Sequence, residues 1–341
     1  SPNTKKLIPN KPISPESRHR IMGMVSATHQ IRGIQGELII HHPRLGKWKV
    51  ISVLFIIFVG ISGVLAAEIT VPADNATIQD AVDYAQPGDT IVVSSGVYEE
   101  YVVVDTTLTL RGTGNTVIAG DGTSGQDVVT LNADGILFEG FTVNNSRSSY
   151  SGIVVSADNI RVINCTSQDN GGIGIESGAV SGLQISGCTV SGSGDMGIYL
   201  DGASGALIGD TGVAGSAAGN IDLDTCTGCS ILNCTSTSSE YGRGITVYGG
   251  DTTVISGTTV RDIPYEWGMY VYSAPGCTIQ GNTIENCSTA DDAFSFYGGA
   301  VILDSEDTTF QNNILTENAV FGLEYSWSDR GIITGNTITG T

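Results

Sequence analysis

Short apolar runs alternate with polar residues along most of the chain, and this pattern recurs every 23 or 24 residues from about Gly135 onward. Each repeat contains two phrases. In the first, alternating apolar residues precede Gly or Asn and then one small position, occupied in turn by Phe141, Cys165, Cys188, Thr211, Cys234, Thr258, Asn282, Asn313 and Asn336. In the second, Gly precedes an apolar pair, aligned here as Ile153, Ile173, Ile198, Ile221, Ile245, Met269, Val301 and Leu323. Such a period indicates stacked units, none of which can bury its apolar residues alone.

The runs are typical of strands, because apolar positions alternate over only three to five residues between Gly, Asn, Asp and Ser. A helical repeat of this length would need two amphipathic helices, for which there is no room. Two or three short strands per coil therefore predict an all-β parallel β-helix of about 23–24 residues per coil, with equivalent residues about 4.8 Å apart. The absence of a six-residue period argues against a left-handed hexapeptide helix.

The N-terminal part differs in kind, since residues 1–49 hold nine of the fifteen Lys and Arg and all four His. Residues 1–46 are expected to be a disordered basic leader or a misassigned start. Residues 47–67 combine a basic start, an apolar run and a small-residue end, which is the pattern of a secretory signal peptide. A retained membrane anchor is the alternative, although the run is shorter than the roughly 20 residues of a full span.

Residues 68–122 are predicted to open the domain with a short helix over Thr77–Ala85, capped by Asp74 or Asn75. Strands are predicted over Thr90–Val93, Tyr98–Val104, Leu108–Leu110 and Thr116–Ile118. A helix lying over the first coil would cover an open sheet edge. Residues 123–341 are predicted to be repeat coils, and the last of them shows no cap, so we expect a longer parent protein.

The segments Ala76–Asp105 and Leu108–Gly122 resemble the opening of the right-handed β-helix superfamily, which includes NosD-like surface proteins, pectin esterases and pectate lyases. The later coils, with phrases such as Asn233-Cys234-Thr235, are similar to the repeats of secreted proteins from methanogenic archaea. The resemblance covers residues 68–341 and implies a right-handed helix. It implies no activity, because the shared residues are structural.

Composition excludes several functions for residues 68–341, which contain 33 Asp and Glu, six Arg, no Lys and no His. Such a negative surface repels nucleic acid and anionic membranes. A membrane contact is expected only through the N-terminal segment if it stays uncleaved. Without His, the Ser-His-Asp and Cys-His mechanisms lack their base.

The seven cysteines are interpreted mainly as small buried fillers, because Cys165, Cys188 and Cys234 alternate with Thr and Asn in the same ladder. Cys165 and Cys188 fall in adjacent coils, where one disulfide bridge could form. Cys226 and Cys229 leave open a zinc or redox site, beside the simpler interpretation as stacked thiols in a loop.

The position after each second-phrase strand is rich in acids and aromatics, and we align it as Ser156, Glu176, Asp201, Asp224, Tyr248, Tyr272, Asp304 and Ser326. Hard cations prefer several oxygen ligands. Ca²⁺ bound by Glu176, Asp201, Asp222 and Asp224 is therefore the one cofactor hypothesis, and a solvated acidic ladder without any cofactor is its alternative.

Aromatic residues continue the same surface and suit the faces of sugar rings. The predicted ligand-binding residues are Tyr199, Tyr241, Tyr248, Trp267, Tyr270 and Tyr272, together with Asp291 and Asp292 in an insertion about seven residues long. Insertions on solenoids often line binding faces. Ordinary stacking of Tyr on Tyr is the alternative interpretation.

Three functions follow from these features. The first is a secreted or cell-surface protein that binds a polysaccharide or cell-envelope glycan without catalysis. The second is a polysaccharide lyase or glycoside hydrolase acting on an acidic polysaccharide, with Asp201, Asp222, Asp224 and Arg243 as its candidate catalytic residues. The third is a structural spacer in a surface array. Asn75 and Asn144 are the favoured glycosylation sites among five sequons.

Overall fold

The computed structural model describes residues 66–289 and 297–340. Its elements, numbered in chain order, begin with β1 (Glu68–Val71), α1 (Ile78–Tyr84), β2 (Thr90–Val93), β3 (Gly96–Glu99), β4 (Val102–Val104), β5 (Thr109–Ala119), β6 (Val129–Leu131) and β7 (Leu137–Asn144). None of the helices in this part of the chain is long and apolar enough to cross a membrane.

Beyond β7, each coil contributes three short strands. These strands are β8 (Ile153–Val155), β9 (Arg161–Ile163), β10 (Thr166–Gln168), β11 (Ile175–Ser177), β12 (Gln184–Ser186), β13 (Thr189–Ser191), β14 (Met196–Asp201), β15 (Leu207–Gly209), β16 (Gly212–Ala214), β17 (Gly219–Asp224), β18 (Ser230–Leu232), β19 (Thr235–Thr237), β20 (Arg243–Tyr248), β21 (Val254–Ser256), β22 (Thr259–Arg261), β23 (Met269–Tyr272), β24 (Thr278–Gln280), β25 (Thr283–Glu285), β26 (Ala300–Leu303), β27 (Thr309–Gln311), β28 (Ile314–Thr316), β29 (Leu323–Ser326), β30 (Ile332–Thr334) and β31 (Thr337–Thr339).

Every strand pairs in parallel with its equivalent in the next coil, so the predicted parallel β-helix is confirmed. One side of the coil is a ten-stranded parallel sheet built from β4, β6, β8, β11, β14, β17, β20, β23, β26 and β29. The other strands stack on the remaining sides. Inward positions carry Ile, Val and Leu, and these side chains form one continuous buried core.

The ladder from Phe141 to Asn336 is also confirmed, because its members occupy one stacked position inside the coil. The amide N–H of Thr258 donates to Asn282 Oδ1 at 2.9 Å, and that of Asn282 donates to Asn313 Oδ1 at 2.9 Å. The N–H of Asn313 in turn donates to Asn336 Oδ1 at 2.8 Å, so the same bond repeats from coil to coil. The small polar residues therefore satisfy backbone groups at a corner where the sheet ladder is interrupted.

The second predicted ladder was wrong at two coils. Ile175, not Ile173, stacks between Ile153 and Ile198, and Ala300, not Val301, stacks on Met269. The corners of these coils differ in length, so counting from the preceding Gly gave the wrong residue.

The predicted capping helix is confirmed as α1, which contacts β1, β2 and β4 and buries Ile78, Ala81 and Val82. Its predicted cap was wrong. Thr77 is the N-cap residue and accepts a hydrogen bond from the Asp80 N–H at 3.0 Å, because it is the residue that directly precedes the first helical turn.

Candidate functional site

Two outward columns of side chains run along the ten-stranded sheet, and together they form what we call the acidic–aromatic face. Alternate residues of a strand point to opposite sides of a sheet. Column 1 therefore contains Glu176, Tyr199, Asp222, Thr246 and Tyr270 in successive coils. Column 2, two residues further along each strand, contains Asp201, Asp224, Tyr248 and Tyr272.

This register corrects the single ladder expected from the sequence. Glu176 pairs with Tyr199 and not with Asp201, and Leu303 rather than Asp304 pairs with Tyr272. Glu176 had been placed two strand positions away from where it lies, and Asp304 one position away. The acids and tyrosines therefore form two alternating columns rather than one uninterrupted row of carboxylates.

Four carboxylates nevertheless act electrostatically on one tyrosine hydroxyl, that of Tyr199. The pKa of Tyr199 is raised to about 12, first by burial and then by the negative charges of Asp201, Asp224, Asp222 and Glu176, in that order. These are the four residues predicted as Ca²⁺ ligands, so the structure does bring them to one neighbourhood. Glu176 also accepts a hydrogen bond from the Ser151 hydroxyl at 2.5 Å.

No group of three or more His, Cys, Asp and Glu side chains with metal-site spacing occurs among the residues that the structure describes. The Ca²⁺ site therefore stays a prediction that rests on the proximity of the four carboxylates.

Asp222 is the most perturbed acid on this face. The pKa of its carboxyl group is raised to about 6, mainly by burial; the charge of Arg243 and the hydrogen bond from the Thr246 hydroxyl oppose this rise, and the charge of Asp224 adds to it. A carboxyl group with this pKa exchanges its proton near neutral pH, which is the range useful to a general acid or base.

Arg243 lies in a compact polar cluster beside Asp222. Its guanidinium carbon is 4.0 Å from the centre of the Tyr270 ring, which is close enough for a cation–π contact. Its Nε is 3.4 Å from Glu266 Oε2, and the two side chains are 34% and 22% exposed. Arg243 thus already has Glu266 as an ion-pair partner, although Arg243 Nε and Glu266 Oε2 make no hydrogen bond among the described residues.

Glu266 was missed in the sequence, although a signal for it existed. It follows Arg243 by 23 residues, which is one repeat period, so the two opposite charges had to fall in neighbouring coils. Thr246, which donates to Asp222 from the next coil, was also missed, although it follows Asp222 by 24 residues and so carries the same signal.

Three tyrosines form a stacked surface next to the acids. Tyr248 stacks on Tyr272 with ring centres 5.4 Å apart, and Tyr270 lies 6.1 Å from Tyr272 in a nearly parallel orientation. Tyr248 is 47% exposed, so a ring face remains open to solvent. Tyr241, which is 65% exposed, stacks separately on Tyr265 at 5.8 Å.

Trp267 does not belong to this exposed surface. It is only 5% exposed, and its indole ring packs against Phe321 at 5.5 Å and against Tyr297 at 5.9 Å. Its apolar surface contributes to packing at the corner of the coil, so it cannot present a free face to a ligand. Asp291 and Asp292 lie outside the described residues.

The remaining sequence expectations concern thiols and glycans. All seven cysteines are buried and free, so no bridge joins Cys165 to Cys188. The Cys188 Sγ instead donates to the Val162 carbonyl oxygen at 3.4 Å, which fits a buried filler. Asn75 and Asn144 are both partly exposed and stay predicted glycosylation sites.

Comparisons with known proteins agree with this architecture. A family model described as a right-handed β-helix region matches residues 102–213 and 173–338. No curated protein matches the sequence significantly.

Among solved structures, the chain is similar to the enzymatically active domain of tailspike protein 2 from bacteriophage CBA120, with 12% identity and a TM-score of 0.62. That match covers 77% of this chain and 46% of the tailspike chain, so this protein spans less than half of its length. An alginate lyase from a Paenibacillus species has 15% identity and a TM-score of 0.50, with 80% of this chain and 98% of that chain covered. The A-module of a mannuronan C-5 epimerase from Azotobacter vinelandii has 14% identity and a TM-score of 0.56, with coverage of 77% and 91%. At these identities the likeness shows a shared fold.

Proposed function

The chain belongs to the right-handed β-helix family, and from this premise we propose that it is a secreted or cell-surface protein that binds a glycan along its acidic–aromatic face. The observation that carries the proposal is the stack of Tyr248, Tyr272 and Tyr270, which spans neighbouring coils beside a row of carboxylates.

The geometry suits a polymer better than a single sugar. Equivalent positions recur about every 4.8 Å along the rod, so a chain lying across the coils meets the same kind of surface several times. Aromatic rings offer apolar faces to the C–H groups of sugars, while Tyr hydroxyls and carboxylates accept or donate hydrogen bonds at the edges. Each of these contacts is weak, but a polymer that lies along the acidic–aromatic face makes many of them at once.

Two further features support this function. The alginate lyase and the mannuronan epimerase that share the fold are both named for polysaccharide chemistry. The acidic composition after residue 67 and the basic-then-apolar segment before it favour export and disfavour nucleic acid as a partner.

A second candidate function is catalysis on a polysaccharide, and the carboxyl group of Asp222 favours it. With its pKa raised to about 6 by burial, Asp222 can hold a proton that an ordinary surface Asp would have lost. Asp201 and Asp224 lie side by side in adjacent coils of column 2, and the charge of Arg243 acts on Asp222. An acid, a second carboxylate and a cation in one place are the groups that glycosidic bond cleavage uses.

One experiment separates these two functions. The full-length chain is incubated with neutral, acidic and amino-bearing polysaccharides, with and without Ca²⁺, and both retained binding and new reducing or unsaturated ends are measured. Binding without new ends supports the first function. New ends that disappear in Asp222→Asn support the second.

The tyrosine surface is tested in the same assay. Truncation of stacked aromatic contacts removes roughly 0.5–1.5 kcal/mol each, so Tyr248→Ala and Tyr272→Ala should each weaken binding about two- to twelvefold. Tyr84→Ala is the matched control, because Tyr84 is 71% exposed but lies on the capping helix. Binding that survives in the double variant Tyr248→Ala/Tyr272→Ala would place the glycan elsewhere.

A further inference from the structure

The charge of the acidic–aromatic face selects among glycans. Glu176, Asp201, Asp222 and Asp224 all lie close enough to Tyr199 to act on its hydroxyl group electrostatically. A uronate polymer would place a row of carboxylates against this cluster, and like charges at the spacing of neighbouring coils repel one another.

The nearest cation does not relieve this repulsion. Arg243 already has Glu266 as its ion-pair partner, and its charge also acts on Asp222. Its guanidinium group lies over the Tyr270 ring, which fixes it in place against the sheet. A ligand carboxylate would therefore have to compete with two carboxylates of the chain for the same arginine.

Column 2 arranges the two kinds of contact in sequence. Asp201 and Asp224 face each other in adjacent coils, and Tyr248 and Tyr272 occupy the same position in the next two coils. A sugar ring stacked on Tyr248 thus has Asp224 about one coil spacing, roughly 5 Å, away. A cationic substituent on that ring or on its neighbour would lie at the carboxylates, and tyrosine faces attract cations as well.

Building on the proposed glycan-binding function, we infer that the occupant of this face is a polymer of amino sugars, whose ammonium groups pair with Asp201 and Asp224 while its rings stack on Tyr248 and Tyr272. This occupant matches both halves of the face at once. A neutral glycan would use only the tyrosines, and a uronate polymer would be repelled by the acids.

The test compares three oligosaccharides of equal length with the full-length chain by isothermal titration calorimetry at pH 6. They are a glucosamine oligomer, its N-acetylated counterpart and an oligouronate. The expected result is at least tenfold tighter binding of the glucosamine oligomer than of the N-acetylated one, no binding of the oligouronate, and an affinity for the amino sugar that falls with added salt.

Matched variants separate a site from general attraction to an acidic protein. Asp201→Asn/Asp224→Asn should weaken binding of the glucosamine oligomer about tenfold and leave the N-acetylated oligomer unchanged. Asp210→Asn is the control, because Asp210 is exposed at a corner of the coil away from this face. Spermine, a polyamine without sugar rings, serves as a second control and should bind more weakly than the glucosamine oligomer, because it cannot stack sugar rings on Tyr248 and Tyr272.

The outcomes distinguish this inference from the function on which it rests. Equal, tyrosine-dependent binding of all three oligosaccharides, or tighter binding of the oligouronate, overturns the amino-sugar assignment and leaves glycan binding intact. Binding that drops as much in Asp210→Asn as in the double variant, or spermine binding as tight as that of the glucosamine oligomer, shows adsorption and also overturns it. Absence of binding to any oligosaccharide overturns both.

Discussion

Replacement of Asp222 by Asn should stabilise the protein at neutral and alkaline pH but not in acid. Asp222 is half-buried on the acidic–aromatic face, near Asp224, and its folded-state pKa is about 6 instead of its ordinary value of 3.8. Asn keeps the shape of the side chain and can still accept a hydrogen bond from the Thr246 hydroxyl, whereas it carries no charge.

The sign of the effect follows from which state binds the proton more tightly. Below about pH 4 the carboxyl group is protonated in both the folded and the unfolded chain, so it adds no pH dependence. Between about pH 4 and pH 6 the unfolded chain releases this proton first, and stability falls as the pH rises. Above about pH 6 the folded chain has ionised too, and the full cost of a buried charge remains.

The magnitude has an upper bound. A tenfold difference in proton affinity is worth about 1.4 kcal/mol, so a folded pKa of about 6 corresponds to at most about 3 kcal/mol. Because the Asp222 side chain keeps some contact with water, screening reduces this cost, and roughly 1–3 kcal/mol is expected.

Urea unfolding of the wild type and Asp222→Asn at pH 4 and at pH 8 measures this difference directly. The free energy of unfolding should be equal for the two proteins at pH 4 and higher for the variant at pH 8. Asp210→Asn, a substitution at an exposed corner residue, should change neither value. An Asp222→Asn effect of the same size at both pH values, or a less stable variant at pH 8, would refute the reasoning.

Three further predictions concern the coil itself. The Asn313 side chain is a buried amide that donates to the Ile279 carbonyl oxygen and accepts from the Asn282 N–H. Asn313→Ala should therefore lower the free energy of unfolding by roughly 1–3 kcal/mol in urea titrations. Asn312→Gly is the control and should be nearly neutral, because Asn312 lies at an exposed corner with a φ of 55°. Gly244→Ala should lower the melting temperature, because the added Cβ would lie 2.5 Å from the Gly268 carbonyl oxygen. Gly178→Ala should not lower it, because a Cβ added at Gly178 would meet no atom within 4 Å. Equal melting temperatures for the two variants would contradict the packing argument. Six of the seven buried thiols should not react with a thiol reagent until the chain unfolds, since burial raises the pKa of Cys188 and of Cys277 to about 11 and also raises those of Cys165, Cys234 and Cys287, while the hydrogen bond with Cys229 raises that of Cys226. Cys229 is the exception, because its hydrogen bond with Cys226 lowers its pKa to about 7. Rapid reaction of more than one thiol in the folded protein would show that the coils open.

The sequence was enough to predict most of the residues of the candidate site, but not which of them lie next to one another. The tyrosines, the three aspartates and Arg243 could be named because they follow strands that the repeat itself marks. Their grouping could not, since a shift of one residue along a strand moves a side chain to the other side of the sheet. Asp304 illustrates this: it had been aligned with Tyr272, but Leu303 is the residue that pairs with Tyr272.

The sequence by itself determined the architecture, because a repeat of short alternating runs has few ways to bury its apolar residues, and a parallel coil buries them in every unit. It also determined the capping helix and the interior ladder of small polar residues. Only the tertiary structure decided which side chains share a neighbourhood, because the corners between strands differ in length and set the register locally. The burial of Trp267, the pairing of Arg243 with Glu266 and the raised pKa of Asp222 all depend on neighbours that are one or two coils away in the chain and close in space.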